Sequence, residues 1–214
     1  MAQHSQTEIE RKYDVDEHVS PPLLVGAGAV ATAGAPDTFE LVATYFDTED
    51  LVLARAHVAV RMRRGGHDQG WHVKLPAEEG RTELHWPLES TDADPATESS
   101  ALVPPAELVA SLADRLDGRP LVPVARVTNL RTTTVLQDAA GFDLAELSDD
   151  HVTAENLLDD TARSWREWEF ELLSGAPDTR EARTALLDEV EKRLLDAGAV
   201  PSASASKLQR ALGL

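Results

Sequence analysis

Cysteine is absent from the 214 residues. That excludes a disulfide framework, a thiolate nucleophile and any zinc site built on thiolates, and it fits a reducing compartment. Lysine is nearly as scarce: Lys12, Lys74, Lys192 and Lys207 are all there are. Aromatic residues make up only 5% of the chain, so few rings can serve as stacking platforms. No apolar run is long enough to span a bilayer, and the opening MAQHSQTE lacks the charged and apolar regions of a signal peptide. The expectation is a soluble cytoplasmic protein with no membrane partner. Positive charge is also short: 20 Lys and Arg face 38 Asp and Glu, a net −18. A surface that acidic repels nucleic acid, which is not an expected partner. What remains is ordinary for a folded chain. Hydrophobic residues at 42% support a real core. The length suits a single domain over residues 1–214, acting as a monomer or a homodimer.

Most of the chain reads as strands. The first is TEIERKYDV, Thr7 to Val15. VATYFDT (Val42 to Thr48) follows a loop rich in Gly, Ala and Pro. Then come HVAVRMRR (His57 to Arg64), closed by Gly65-Gly66, and GWHVKLP (Gly70 to Pro76), closed near Gly80. RTELHWPLE (Arg81 to Glu89), Val124 to Asp138, Phe142 to Asp150 and Ser164 to Leu173 complete the set. Helical signals lie at 20–30, with proline near the start, at 104–118 with closing Gly118, at 179–198 and at 204–214. The polar stretch 90–103 reads as a loop.

The alternation within these strands is unusual. Side chains on a strand alternate faces, so Glu8, Glu10 and Lys12 share one face while Ile9, Arg11 and Tyr13 share the other. Arg61 and Arg63 alternate with Val60 and Met62, His72 and Lys74 with Trp71, Val73 and Leu75. Arg81, Glu83 and His85 alternate with apolar Leu84 and Trp86; Glu167, Glu169 and Glu171 alternate with Trp168, Phe170 and Leu172. Any one strand is accounted for by a solvated face with cross-strand ion pairs. Together they fit that picture poorly, because like charges in line repel and exposed strands usually mix in Ser, Thr and Gln. The alternative is an α+β fold: an antiparallel barrel with a charged interior, its apolar faces turned outward and covered by helices. Clustered carboxylates suit a hard divalent cation. Clustered guanidinium and ammonium groups suit phosphate oxygens. Both together point to a metal-bound polyphosphate.

The ordered motifs resemble one known family. Glu8-Ile9-Glu10-Arg11-Lys12 resembles the ExExK signature of the CYTH family, the triphosphate tunnel metalloenzymes. Tyr45-Phe46-Asp47-Thr48, the Arg61/Arg63 pair, Lys74, Arg81-Thr82-Glu83, the Glu167/Glu169/Glu171 strand and Ser206-Lys207 resemble its later motifs, in order, over about residues 7–208. The resemblance implies a closed antiparallel barrel of eight strands, triphosphate substrates, and Mg²⁺ or Mn²⁺. Some members carry a helical CHAD domain after the tunnel; this sequence stops seven residues after Lys207, so none is expected.

Roles follow from the resemblance. Glu8, Glu10, Glu169 and Glu171 are the expected metal ligands, with Glu167 sharing the parity of the late pair. Glu83, Glu146 and Asp150 complete the acidic side, where they position a second metal or the attacking water, or orient the arginines. Lys12, Arg61, Arg63, Lys74, Arg81 and Arg131 form the phosphate clamp; Arg126 has the opposite parity to Arg131. Lys207 reaches the tunnel from the terminal helix. His72 and His85 read as lining residues rather than general bases. The catalytic set is then Glu8, Glu10, Lys12, Glu83 and Lys207, promoting in-line attack by a metal-activated water on a terminal phosphorus. Parity turns Trp71, Trp86 and Trp168 outward, which leans toward a substrate without a ring: inorganic triphosphate, cleaved to pyrophosphate and phosphate. A thiamine triphosphatase, a class IV adenylyl cyclase and a non-catalytic polyphosphate-binding module stay open as alternatives.

Overall fold

A computed structural model describes residues 4–88 and 102–214. Most of the stretch expected as a loop, 90–101, lies outside the described residues. The expected first strand is present in two pieces, β1 (His4–Glu8) and β2 (Glu10–Asp14), parted at Ile9. A two-residue β3 (Thr32–Ala33) precedes β4 (Asp37–Asp47). A short α1 (Val52–Arg55) leads into the meander β5 (Ala59–Arg64), β6 (Gly70–Pro76) and β7 (Arg81–Pro87). Helices α2 (Ala106–Ser111) and α3 (Ala113–Leu116) come next. The long strands β8 (Val122–Gln137), β9 (Asp143–Asn156) and β10 (Thr161–Leu172) follow. The chain ends with α4 (Arg180–Asp196), β11 (Val200–Pro201) and α5 (Lys207–Leu212).

All pairings are antiparallel, and the strand order is β1-β7-β6-β5-β4-β8-β9-β10-β2-β11, with β3 on β8. Counting β1 and β2 as one stretch and setting aside the two-residue pieces leaves eight long strands. Among the described residues no ladder joins the two ends of that order, so hydrogen bonds do not close the sheet there. The ends are nevertheless successive in sequence. Glu8 pairs with Arg81 at one end, and Glu10 pairs with Glu171 at the other. The turn between β6 and β7 leans on this junction. Gly80 has φ +68, and a Cβ there would stand 2.0 Å from the Glu8 carbonyl oxygen. Only glycine allows both the turn and that approach.

The apolar faces do turn away from the charged ones. Trp168 and Phe170 of β10 pack with Tyr13 under Leu186, Val190 and Leu194 of α4. Val60, Met62, Trp71 and Trp86 pack under Leu108, Leu112 and Leu116 of α2 and α3. Each such fully buried side chain contributes about 1.5–3 kcal/mol, so the helices hold the sheet from outside. Helix α4 starts where expected and α5 three residues later than expected, at Lys207, because Thr179 and Ser206 accept hydrogen bonds from the amides of Ala182 and Gln209. The helix expected at 20–30 does not form. Gly26 and Gly28 take left-handed φ values of 84° and 53° there. The carbonyls of Leu23 and Val25 are instead taken by the Arg193 guanidinium, at 3.0 and 2.8 Å. The apolar residues Leu24, Ala27 and Val30 reach the core from a turn, not from a helix face. Among the described residues no helix is long and apolar enough to cross a membrane.

Candidate active site

The inward faces of the sheet enclose a cavity of about 1260 Å³, counting its solvent-open mouth. Its lining carries six carboxylates and seven lysines or arginines. The net −18 of the chain therefore lies outside the cavity, and the scarce cations gather within it. Lys12 comes from β2, Arg61 and Arg63 from β5, Lys74 from β6, Arg81 from β7, Arg131 from β8 and Lys207 from α5. Every residue expected in the phosphate clamp is thus brought to one cavity. Arg126 points the other way, exposed beside Glu155.

Register explains how the acidic side is built. Across β2, β10 and β9, Glu10, Glu171 and Glu146 stand abreast. One pair further along are Lys12, Glu169 and Ser148, and beyond them Asp14, Glu167 and Asp150. Like charges abreast destabilise a sheet unless a cation intervenes. The third row has one. Lys207 Nζ lies 2.8 Å from Asp150 Oδ2, 2.5 Å from Glu167 Oε1 and 2.7 Å from Glu169 Oε1. Arg131 adds a two-point pair with Asp150, at 2.7 and 2.6 Å, and reaches Glu169 at 2.5 Å. Burial alone would raise the Asp150 and Glu169 carboxyls. Lys207 and Arg131 hold Asp150 down to about 2 instead, and Lys12, Lys207 and Arg131 hold Glu169 well below the carboxylate range. Burial likewise works against the Lys207 ammonium, but the three carboxylates raise its pKa well above the usual value.

In the first row, among the described residues, only Glu10 has a cation beside it. Lys12 lies 3.0 Å from Glu10 and also pairs with Glu169, while Lys74 lies 2.6 Å from Glu8. Among the described residues, Glu171 and Glu146 form no ion pair; Glu146 has only the Ser148 hydroxyl, which donates at 3.2 Å. Burial, then the facing Glu8 and Glu10, push the Glu171 carboxyl up to about 8, and burial also raises Glu146. Carboxylates in register and short of positive charge are the chemistry that fits Mg²⁺ or Mn²⁺. Asp150, Glu167 and Glu169 bring three oxygens within 4.8 Å of one another, and Lys207 sits among them.

The cationic side has spare donors. The Nε atoms of buried Arg61 and Arg63 find no partner among the described residues. Arg61 Nη2 lies 3.7 Å from Glu83, and Arg63 pairs with Asp68. Burial and the neighbouring Arg61 pull the Arg63 guanidinium down to about 10. Glu83 is buried against Lys74 and Arg61, which lower its pKa. It is bridged to His72 Nδ1 at 3.0 Å, and His72 Nε2 lies 3.0 Å from the Asp68 carbonyl. Burial, then Arg61 and Arg63, lower the His72 pKa to about 2, and the ring's contact orients Glu83. It stacks on His85 with centroids 4.4 Å apart.

A CYTH domain is matched over residues 6–199. The chain belongs to the CYTH family. It is 40% identical to an uncharacterized protein of Mycobacterium tuberculosis, found in strains H37Rv and CDC 1551, over 96% of this chain. The chain spans about 40% of the length of these curated relatives. Among solved structures, a "putative adenylate cyclase" from Bacillus halodurans superposes with TM-score 0.60 at 22% identity, covering 96% of this chain and 97% of that one. A Pyrococcus horikoshii protein superposes with TM-score 0.54 at 16% identity, covering 96% and 98%. At these identities the likeness concerns the fold.

The CYTH cavity also contains residues that the sequence reading passed over. Phe39, Leu41, Ala43 and Tyr45 of β4 line it, as do Val127, Asn129 and Thr133 of β8. The expected strand began at Val42, so the inward parity of Phe39 and Leu41 was hidden. Trp71, Trp86 and Trp168 are buried on the outer face as expected. Trp165 donates to Glu167 at 2.5 Å and lies under the Arg210 guanidinium, 4.8 Å from the ring centre.

Proposed function

We propose that this CYTH chain is a metal-dependent hydrolase of triphosphate compounds, with inorganic triphosphate the smallest substrate its clamp can hold. The observation that carries the reading is the convergence of seven cations on one cavity that Glu10 and Glu146 also line, in a row with Glu171 where Glu146 and Glu171 have no ion pair among the described residues. On this reading the sheet acts as a closed tunnel, with the covalent junction at Ile9 as its seam. Lys12, Arg61, Arg63, Lys74, Arg81 and Arg131 hold the non-bridging oxygens and keep the phosphate chain extended. The spare Nε donors of Arg61 and Arg63 favour that role. Glu8, Glu10, Glu171 and Glu146, with Glu169, would hold Mg²⁺ or Mn²⁺. When bound, the ion neutralises phosphate charge and makes a water more acidic. Asp150 acts through Arg131 and Lys207, whose positions it fixes. Glu83, held by His72, aligns Lys74 and Arg61. Lys207 meets charge developing on the phosphate oxygens at the α5 end.

The test is phosphate release from triphosphate, pyrophosphate, thiamine triphosphate, ATP and long-chain polyphosphate, each with Mg²⁺, Mn²⁺ or chelator. Metal-dependent release from a triphosphate supports the reading. Cyclic nucleotide as the product from ATP, or binding without turnover, refutes it.

A further inference from the structure

Along β5 the cations of the cavity end on a carboxylate. The strand runs from Ala59, beside Ser206 of α5, to Arg63, the last inward residue before the turn 65–69. That turn reads Gly65-Gly66-His67-Asp68-Gln69 and brings no lysine or arginine. What it adds to the cavity lining is His67 and Asp68. Asp68 pairs with Arg63 Nη2. The Arg63 side chain is buried and its Nε has no partner among the described residues, so a donor is left for a phosphate oxygen while the pair persists. The Asp68 side chain is half-exposed, nearer to solvent than the guanidinium it covers.

The turn is built to keep that carboxylate in place. Gly65 has φ +83, and a Cβ there would stand 2.0 Å from the Glu40 carbonyl oxygen, so the turn lies tight against β4. The Gly65 amide donates to Gln69 Oε1 at 3.2 Å, which closes the turn on itself. The carbonyls of Asp68 and Gln69 lie 3.0 and 3.2 Å from Nε2 of His72 and His85, whose rings are stacked. With its backbone held on both sides, Asp68 has only its side-chain torsions free. A fixed charge of the ligand's own sign, set just past the last cation of a strand, rejects one ligand rather than binding another. A phosphate chain that ends at Arg63 stays on the cationic side of Asp68. One further phosphoryl group would be carried onto the carboxylate, charge against like charge.

We propose that Asp68 sets the length of the phosphate chain that the cavity accepts: it admits three phosphoryl groups and rejects a fourth that would pass Arg63. The inference rests on the triphosphate reading of the clamp and narrows its substrate class against longer polyphosphates. A carboxylate that only oriented Arg63 would affect short and long chains alike.

The test is the preference for inorganic triphosphate over linear tetraphosphate. It is read as the ratio of kcat/KM for phosphate release in Mg²⁺, or as the ratio of Kd by titration calorimetry where neither is turned over. Like charges about 4 Å apart near a protein surface repel strongly enough that the wild type should prefer triphosphate at least about tenfold. Asp68→Asn keeps the shape and removes the charge, so it should bring the ratio within about threefold through a gain on tetraphosphate. Asp68→Glu keeps the charge and should keep the preference. Added salt should narrow the wild-type preference, because the carboxylate is half-exposed. Equal use of the two chains by the wild type overturns the selector and leaves the triphosphate reading standing. Neither turnover nor binding of either chain overturns both. A preference that survives Asp68→Asn, even with both chains used less well, overturns the role of Asp68. Where that variant does not fold, salt decides: a wild-type preference indifferent to salt overturns the proposal.

Discussion

Lys207→Met is the substitution whose consequence the geometry sets most sharply. The side chain is 10% exposed and its ammonium touches three carboxylates, at 2.8, 2.5 and 2.7 Å. Methionine keeps the length and removes the charge. Removing one partner of a buried ion pair costs about 3–5 kcal/mol. The lower end applies here, because Arg131 still covers Asp150 and Glu169, and Trp165 still donates to Glu167. For a chain of this size each kcal/mol moves the melting temperature by about 2–4 °C, so a drop of about 6–12 °C is expected. The deficit should depend on pH. The Asp150 carboxyl is depressed from 3.8 to about 2 in the folded protein. A depressed carboxyl contributes stability above its unfolded value and loses it as pH falls through the folded one. The gap between wild type and variant is therefore full above pH 4 and closes toward pH 2. Vacating the trio also leaves three oxygens within 4.8 Å of one another, so Mn²⁺ should recover part of the loss. Differential scanning calorimetry across pH, with and without Mn²⁺, reads all three effects. A variant melting within about 2 °C of wild type at pH 7 would refute the account of Lys207 as the ion that neutralises this trio.

Glu10→Gln should keep the fold, by circular dichroism, and lose most metal-dependent phosphate release; near-normal turnover removes Glu10 from the metal site. Glu171 has a folded value of about 8 against 4.5, so it costs stability progressively as pH rises from about 4.5 to 8. The metal-free protein should lose melting temperature over that window, Mg²⁺ or Mn²⁺ should reduce the loss, and Glu171→Gln should flatten the slope. Arg63→Met removes a charged donor worth about 1.5–3 kcal/mol, which should raise KM for the substrate by roughly ten- to a hundredfold. An unchanged KM takes Arg63 out of the clamp. Trp168 is fully buried between β10 and α4, so Trp168→Ala should cost about 3–5 kcal/mol in chemical denaturation without changing the pH profile of any activity.

The side of the sheet each residue faces was legible from the sequence because the alternation was charge against carbon. Glu8 with Ile9, Arg61 with Met62, and Glu169 with Phe170 each declare a face, and the structure places those faces as read. Where alternation was silent, the reading failed. Residues 20–30 carry apolar side chains at spacings a helix would use, but two glycines with positive φ and a distant arginine turn the segment into a loop. Which carboxylates stand together was not legible either. Glu10, Glu171 and Glu146 share a row because of the registers of two ladders, one of them between strands far apart in sequence, and parity alone does not show register. The same holds for Lys207: a Ser-Lys pair marks a helix start, while its meeting with three carboxylates comes from where α5 docks.

The distribution of charge inside the cavity bears on the order of binding. Seven cations against six carboxylates leave the lining close to neutral before anything binds, so a triphosphate entering alone would add several negative charges to a site that is already balanced. Its oxygens would have to take Lys12 and Lys74 from Glu10 and Glu8, leaving those carboxylates unpaired beside Glu171 and Glu146. A divalent cation arriving with the anion removes that conflict, because it takes the released carboxylates while the lysines turn to phosphate. On the triphosphatase reading, ion and substrate are therefore coupled through the same two lysines. Triphosphate should bind weakly to the metal-free protein, and Mg²⁺ should bind weakly without triphosphate. Each should tighten the other by the same factor, since linkage is reciprocal. Titrating each ligand in the absence and presence of the other measures both factors. Independent binding would mean that the lysine pairs seen here persist in the complex, and that the clamp is made by the arginines alone.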